Sequence, residues 1–268
     1  MRNLIVLAVL VAAFVAPALA DSNSLGATAS RFSRNRLVFY DTAEGREVIQ
    51  PLFPVQFYDD FCGYAMNKYV TGENTTSRWK TVETNLNTGI AVSADAHVAA
   101  LILDADDNAE RAVLYFGDQE CFDGYLGCTF EARVKFSVAG TLVTSCVVGL
   151  AGADNADSDA IDVNAWFKCA SGAPTVLLWE CDDDSTNDDD NDASTTVATT
   201  TWYVLRVEVD LTNGAKFYVD GTLVGTGNMS ALTTTTGMLQ PYIAIEKAGG
   251  LGVGTLLVDY VRVWGNRK

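Results

Sequence analysis

Phe130-Glu131-Ala132-Arg133-Val134-Lys135-Phe136 decides the fold class. Phe130, Ala132, Val134 and Phe136 alternate with Glu131, Arg133 and Lys135, and a period of two puts the first set on a core face and the second toward solvent. Working outward, similar alternation recurs over 142–150, 161–169, 176–181, 202–211, 216–224, 239–247 and 256–264. Turn signals separate these runs: Ala139-Gly140, Ser171-Gly172-Ala173-Pro174, Asn213-Gly214, Asp220-Gly221 and Ala248-Gly249-Gly250. Many strands, hairpin turns and no convincing helical period predict an all-β, antiparallel two-sheet sandwich. Its core is expected to include Phe130, Val134, Val207, Val209, Tyr218 and Val261.

The 268 residues carry 18 Lys+Arg against 34 Asp+Glu, a net charge of −16, and 49% of them are hydrophobic. An apolar share near half supports a packed core, and the missing basic footprint excludes a nucleic-acid partner. One histidine, His97, argues against histidine-based triads and multi-histidine metal sites.

The first twenty residues read as a secretory signal peptide: Arg2, an apolar run from Leu4 to Val15, and Ala18-Leu19-Ala20 before Asp21. An N-terminal anchor is the alternative, but the run is shorter than the ~20 apolar residues that span a bilayer. No later segment is long and apolar enough to span. The expected organisation is a leader at 1–20, an N-terminal arm or edge segment at 21–55, and one jelly-roll domain at 56–268, in a protein that is secreted or displayed at the cell surface.

Export bears on the six cysteines, Cys62, Cys121, Cys128, Cys146, Cys169 and Cys181. An even number without a CxxC pair favours disulfides over zinc. Cys121 and Cys128 bracket a short turn and could close a small loop. Cys146 and Cys169 fall on apolar positions and could equally be buried thiols. Between 182 and 192 lie seven aspartates, read as a solvated loop; Asp182, Asp184 and Asp188 offer hard oxygen ligands suited to Ca²⁺. Asp154, Asp157 and Asp159 could add ligands if the two loops meet.

Four stretches, in order, carry a resemblance. Gly127-Cys128-Thr129-Phe130-Glu131-Ala132-Arg133-Val134-Lys135, Trp202-Tyr203-Val204-Leu205-Arg206-Val207-Glu208, Phe217-Tyr218-Val219-Asp220-Gly221 and Val258-Asp259-Tyr260-Val261-Arg262-Val263-Trp264 resemble strands of laminarinase-type glycoside hydrolases, in the concanavalin A-like lectin/glucanase superfamily. The resemblance covers roughly 56–268 and implies a concanavalin A-like jelly roll. The family's catalytic strand reads E-I-D-x-x-E, and its retaining mechanism needs a pair of carboxyls. The matching stretch here is Ala160-Ile161-Asp162-Val163-Asn164-Ala165. Alanine at both glutamate positions implies that this mechanism is lost, with Asp159 and Glu180 the nearest acidic substitutes.

Alternation from Ile161 places Asp162, Asn164, Trp166 and Lys168 on the side away from the core. A four-residue turn at 171–174 would pair Trp166 with Trp179 on the next strand. Two indoles beside Asp162 and Asn164 would make a carbohydrate platform, with Arg206 and Glu208 either sharing the face or forming a separate exposed pair. Ordinary packing of both tryptophans is the alternative. Two functional classes follow. One is a secreted, non-catalytic glycan- or polysaccharide-binding module. The other is a structural surface, filament or virion-like protein that assembles as a homo-oligomer, the 21–55 arm adding Leu37-Val38-Phe39-Tyr40 to a neighbour's sheet edge.

Overall fold

The computed structural model describes residues 27–33, 36–41, 46–49, 55–61, 79–84, 89–93, 98–138, 145–170, 175–210, 212, 214–250 and 253–266. The leader at 1–20 and Cys62 lie outside the described residues. The chain divides into two units, 1–54 and 55–268. In the first, β1 (Ala27–Ser33), β2 (Arg36–Asp41) and β3 (Arg46–Ile49) form an antiparallel meander. The run Leu37-Val38-Phe39-Tyr40 lies in β2, its central strand. Val38, Phe39 and Tyr40 of that run pair with β1 on one side and β3 on the other.

The second unit contains β4 (Val55–Asp59), β5 (Lys80–Glu83), β6 (Gly89–Ser93), β7 (Val98–Leu103), β8 (Glu110–Tyr115), β9 (Phe122–Asp123), β10 (Cys128–Val138) and β11 (Ser145–Ala151). It continues with β12 (Val163–Ala170), β13 (Val176–Asp183), β14 (Asn187–Thr196), β15 (Tyr203–Val209), β16 (Gly214–Val219), β17 (Thr222–Asn228), β18 (Met238–Lys247) and β19 (Gly254–Gly265). These make two eight-stranded antiparallel sheets. The first runs β17-β16-β15-β10-β19-β7-β6 with β4 also on β19; the second runs β14-β13-β12-β11-β18-β8-β5 with β9 also on β18. No helix among the described residues is long and apolar enough to cross a membrane.

Alternation explains the layering. Phe130, Ala132, Val134 and Phe136 of β10 face a shared core with Val207 and Val209 of β15 and Val261 and Val263 of β19. From the second sheet, Val148, Leu150, Ala165, Phe167 and Leu177 meet them. Glu131 and Arg133 point outward, where Arg262 pairs with Glu131 at 2.8 Å and Arg133 with Asp259 at 2.7 Å. Tyr218 is not a core residue. Asp220 and Gly221 both adopt positive φ, 48° and 81°, and form a two-residue hairpin turn. That turn splits the 216–224 run into β16 and β17 and sends Phe217 inward and Tyr218 outward.

The aspartate run is also not a loop. Asp188, Asp189, Asp190 and Asp192 lie in β14, the outermost strand of the second sheet, and most of its side chains point to solvent. Pairing with β13 is interrupted at two points, and Asp190 and Ser194 take positive φ of 49° and 52°. Such bulges relieve a strand whose like charges would otherwise face one another in regular register.

Cys128, Cys146, Cys169 and Cys181 are buried free thiols. Cys128 turns into the core at the start of β10, so the loop-closing bridge to Cys121 is not formed. Cys146 and Cys169 stand opposite each other across β11 and β12 as thiols. Burial pushes Cys169 up to about 12 and Cys146 well above its ordinary value, with Cys128 and Cys181 moved the same way. Thiolate is the reactive species. These four should therefore resist alkylation at pH 8 in the native protein and react on unfolding, as mass-labelling with iodoacetamide would read; native labelling of any of them would contradict the burial.

Candidate functional site

The outer face of the second sheet is built in rows that cross its strands. One row runs Glu180–Trp166–Gly149–Tyr242–Tyr115 over β13, β12, β11, β18 and β8. The indole of Trp166 approaches Tyr242 with ring centroids 6.0 Å apart and planes at 31°. Gly149 makes this possible: a Cβ there would lie 2.4 Å from the Ala165 carbonyl and 2.6 Å from Trp166 Cα. A neighbouring row places Lys168 and Val147 beside Ala244 and Val113, and another puts Ser145 beside Glu246 and Arg111.

This face is covered rather than open. The β11–β12 connection, residues 152–162, folds back over it, and Ile161 packs with Trp166, Tyr242, Val113, Val147, Ala151 and Ala244 in a second apolar cluster. Trp166 is consequently 0% exposed although it points away from the main core. A short 3-10 turn, Ser158–Ala160, is capped by Asp157, whose side chain accepts from Asp159 N.

Polar contacts pin the connection at three places. Asp154 receives the Arg111 guanidinium through both oxygens and accepts from Tyr242 Oη at 2.7 Å, while Tyr242 Oη accepts from Arg111. Ser158 Oγ donates to Glu246 Oε2 at 3.2 Å; Glu246 also accepts from Ser145 Oγ at 2.9 Å and lies 3.3 Å from Arg111 Nε. Asp159 binds Lys168 Nζ, which also reaches Glu180 Oε2 at 3.2 Å and Asp190 Oδ1 at 3.1 Å. Burial raises Glu246 and Tyr242, and pushes Glu180 up to about 7. One ammonium shared among three carboxylates does not neutralise them all, so desolvation decides the direction for Glu180.

The sequence-derived residues are thus distributed over three surfaces. Asn164 and Trp166 share the outer side of β12, both buried, while Asp162 is exposed and precedes the strand in the 152–162 connection. Trp179 does not join them. Trp166 stands opposite Glu180, and Phe167 opposite Trp179. The β12–β13 connection is one residue longer than the turn at 171–174 implied, and a one-residue slip sends a side chain to the other face. Leu177, Trp179 and Cys181 form the inward set, and Trp179 stacks on Phe217 at 4.9 Å beneath Gly225, where a Cβ would lie 2.3 Å from Nε1. Arg206 and Glu208 project from the outer face of the first sheet. They pair with each other at 3.2 Å, the guanidinium lies 4.2 Å from the Tyr218 ring centre, and Tyr218 Oη donates to Glu208.

Asp182, Asp184 and Asp188 do not converge. Asp182 Oδ1 accepts from Asp184 N, Asp184 is exposed at φ 70°, and Asp188 accepts from Asn228 N in β17. The connection at 152–162 and the acidic strand do meet, through Asp159 and Asp190, and what they share is Lys168 Nζ. Among the described residues one carboxylate trio, Asp104, Asp106 and Glu110, brings oxygens within 4.8 Å of one another. There too an ammonium is present: Lys247 Nζ lies 3.3 Å from Glu110 and donates to the carbonyls of Asp104, Asp106 and Gly250. Ala165 is fully buried on the core face and Ala160 lies in the 3-10 turn, so the two alanines do not share one surface.

Sequence reasoning missed Arg111, Ser158, Tyr242 and Glu246, and offered Asp154 only as a possible metal ligand, not as the partner of Arg111. The one local signal was Gly149 inside a strand, which marks close approach of another group.

No protein-family model matches the chain, and none of the curated proteins matches it in sequence. Similarity appears in three dimensions. An endo-acting O-glycanase of the human gut microbiota aligns at 12% identity and TM-score 0.54, covering 78% of this chain and 98% of that one. An alginate lyase of polysaccharide lyase family 7 aligns at 12% identity and TM-score 0.49, over 67% and 84%. The carbohydrate recognition domain of Emp47p aligns at 11% identity and TM-score 0.47, over 70% and 89%. With its two eight-stranded antiparallel sheets, the second unit is an all-β jelly-roll sandwich.

Proposed function

We propose that the protein is an exported, non-catalytic carbohydrate-binding protein, and that the outer face of its second sheet is the sugar-binding surface, reached when the 152–162 connection lifts from it. The observation that carries this reading is Trp166 laid over Gly149 against Tyr242, with Asn164, Arg111, Glu246 and Lys168 around it. Apolar sugar faces stack on such rings while hydroxyls bond to amides, carboxylates and guanidinium groups. The shared fold with an O-glycanase supports a glycan ligand. Catalysis is not favoured: Glu180 and Asp159, the nearest carboxylates, converge on Lys168 Nζ, which pairs with both instead of leaving them to flank a sugar. The laminarinase-like pattern agrees, with Ala160 and Ala165 in place of the family's glutamates.

The test is a panel of neutral and acidic oligosaccharides read by intrinsic tryptophan fluorescence and calorimetry, with reducing-end release measured in parallel. Binding without release is expected. Release that disappears in Glu180→Gln or Asp159→Asn would make the protein an enzyme. Absence of any binding, together with particles or filaments in negative-stain images, would replace the reading with a structural one.

A further inference from the structure

Resting on the reading of the second sheet's outer face as a glycan surface, we propose that residues 152–162 are a displaceable cover that imitates the ligand, and that the occupant which replaces it is an oligosaccharide bearing carboxylates.

Three observations carry this. First, the connection lies on the face as a ligand would. It supplies a carboxylate to Arg111 through Asp154, a hydroxyl to Glu246 through Ser158, a second carboxylate to Lys168 through Asp159, and an apolar group to Trp166 through Ile161. Carboxylates, hydroxyls and apolar ring faces are the groups an acidic sugar chain offers. Second, the surface beneath is incompletely satisfied. Trp166 Nε1 and Asn164 Oδ1, a donor and an acceptor two residues apart on residues 0% and 2% exposed, have no hydrogen-bond partner among the described residues. A buried polar atom left unpaired loses its hydration without compensation, so the closed state carries a penalty that a hydroxyl-bearing ligand would remove. Third, space remains at both ends. A cavity of about 370 Å³ adjoins Arg111, Glu246 and Lys247 at the end of β18, and one of about 310 Å³ adjoins Asp154, Asp162 and Met238 at its beginning, with the cover between them. Together they mark a groove along the strands that the connection interrupts.

Arg111 and Lys168 select the class. With the cover lifted, each loses one carboxylate in a buried setting, and a ligand that restores those pairs displaces the cover at the smallest cost. Of the two cavities, the first carries Arg111 and Lys247 among the acidic Glu110, Asp157 and Glu246, whereas the charged residues lining the other, Glu120, Asp154, Asp162 and Asp184, are all acidic, so entry is from the first.

Asp154→Asn/Asp159→Asn weakens the cover's hold, and Asp107→Asn/Asp220→Asn removes the same charge from exposed positions away from it. Each protein, and the unaltered one, is titrated by calorimetry with a galacturonate oligomer and with the same oligomer as its methyl ester. The cover variant should bind the acid at least tenfold more tightly than both other proteins, and the ester at least tenfold more weakly than the acid. In the unaltered protein, the acid should accelerate hydrogen exchange of amides 152–162, a readout that stands even if the variant does not fold. Equal affinity in the two variants with no change in loop exchange would overturn the cover. Equal binding of acid and ester would overturn the carboxylate class while leaving glycan binding intact. No binding of either by any protein, with no binding across the oligosaccharide panel, would remove the underlying reading.

Discussion

Replacing Trp166 by alanine is expected to destabilise the fold by about 3–5 kcal/mol, the cost of truncating a buried aromatic to a methyl group. The side chain points away from the main core, and an exposed indole there would be worth within about ±0.5 kcal/mol of stability. The difference comes from the 152–162 connection, which seals Trp166 to 0% exposure against Tyr242, Ile161 and Val147. For a unit of this size the loss corresponds to roughly 6–20 °C in melting temperature. Thermal and urea unfolding of Trp166→Ala beside Trp166→Phe would measure it, the phenylalanine retaining part of the packing. A loss below about 1 kcal/mol would mean that the connection stands away from the sheet in solution.

The second large effect concerns Lys168. Above pH 7, where Glu180 is ionised, removing the lysine as Lys168→Met leaves that carboxylate buried without its cation, and breaking a buried pair from one side costs about 3–5 kcal/mol. Lys168→Met/Glu180→Gln should recover most of that loss, because no buried charge then remains without its partner. The pH dependence has a definite sign. Glu180 titrates at 4.5 when unperturbed and is pushed up to about 7 in the folded protein. Below about 4.5 it holds its proton in both states. Between 4.5 and 7 the unfolded chain ionises while the folded protein retains the proton, so this group's contribution falls as pH rises, by about 3 kcal/mol across the window. Glu180→Gln should flatten that part of the stability profile. A Glu180→Gln profile as steep as that of the unaltered protein would show that other carboxylates set it.

Much of the sandwich was legible because period-two alternation is a direct imprint of sheet geometry. Phe130 to Phe136 and Val207 to Val209 face inward as written. The errors share a physical origin in registry. Tyr218 lies one residue from an inward Phe217, and Trp179 one residue from Glu180, so a turn misjudged by a single residue exchanges the two faces. The acidic run read as a loop because charge opposes strand pairing on average, yet an outermost strand with bulges keeps those charges in water. The site was the least legible part. Its rows are assembled from β8, β11, β12, β13 and β18, and what covers them is a connection whose Asp154, Ser158 and Asp159 look like ordinary loop residues until their partners, 43, 88 and 9 positions away, are known.

The outermost strand β14 has a consequence for behaviour at high concentration. A sheet margin with unpaired amides and carbonyls is a template on which another molecule's margin can crystallise out as continuous β-structure. Asp188, Asp189, Asp190 and Asp192 make two such margins repel each other at close range. That repulsion is screened over about 8 Å at physiological ionic strength and over about 3 Å at 1 M. Dilute buffer therefore protects the protein from joining margin to margin, and concentrated salt withdraws the protection.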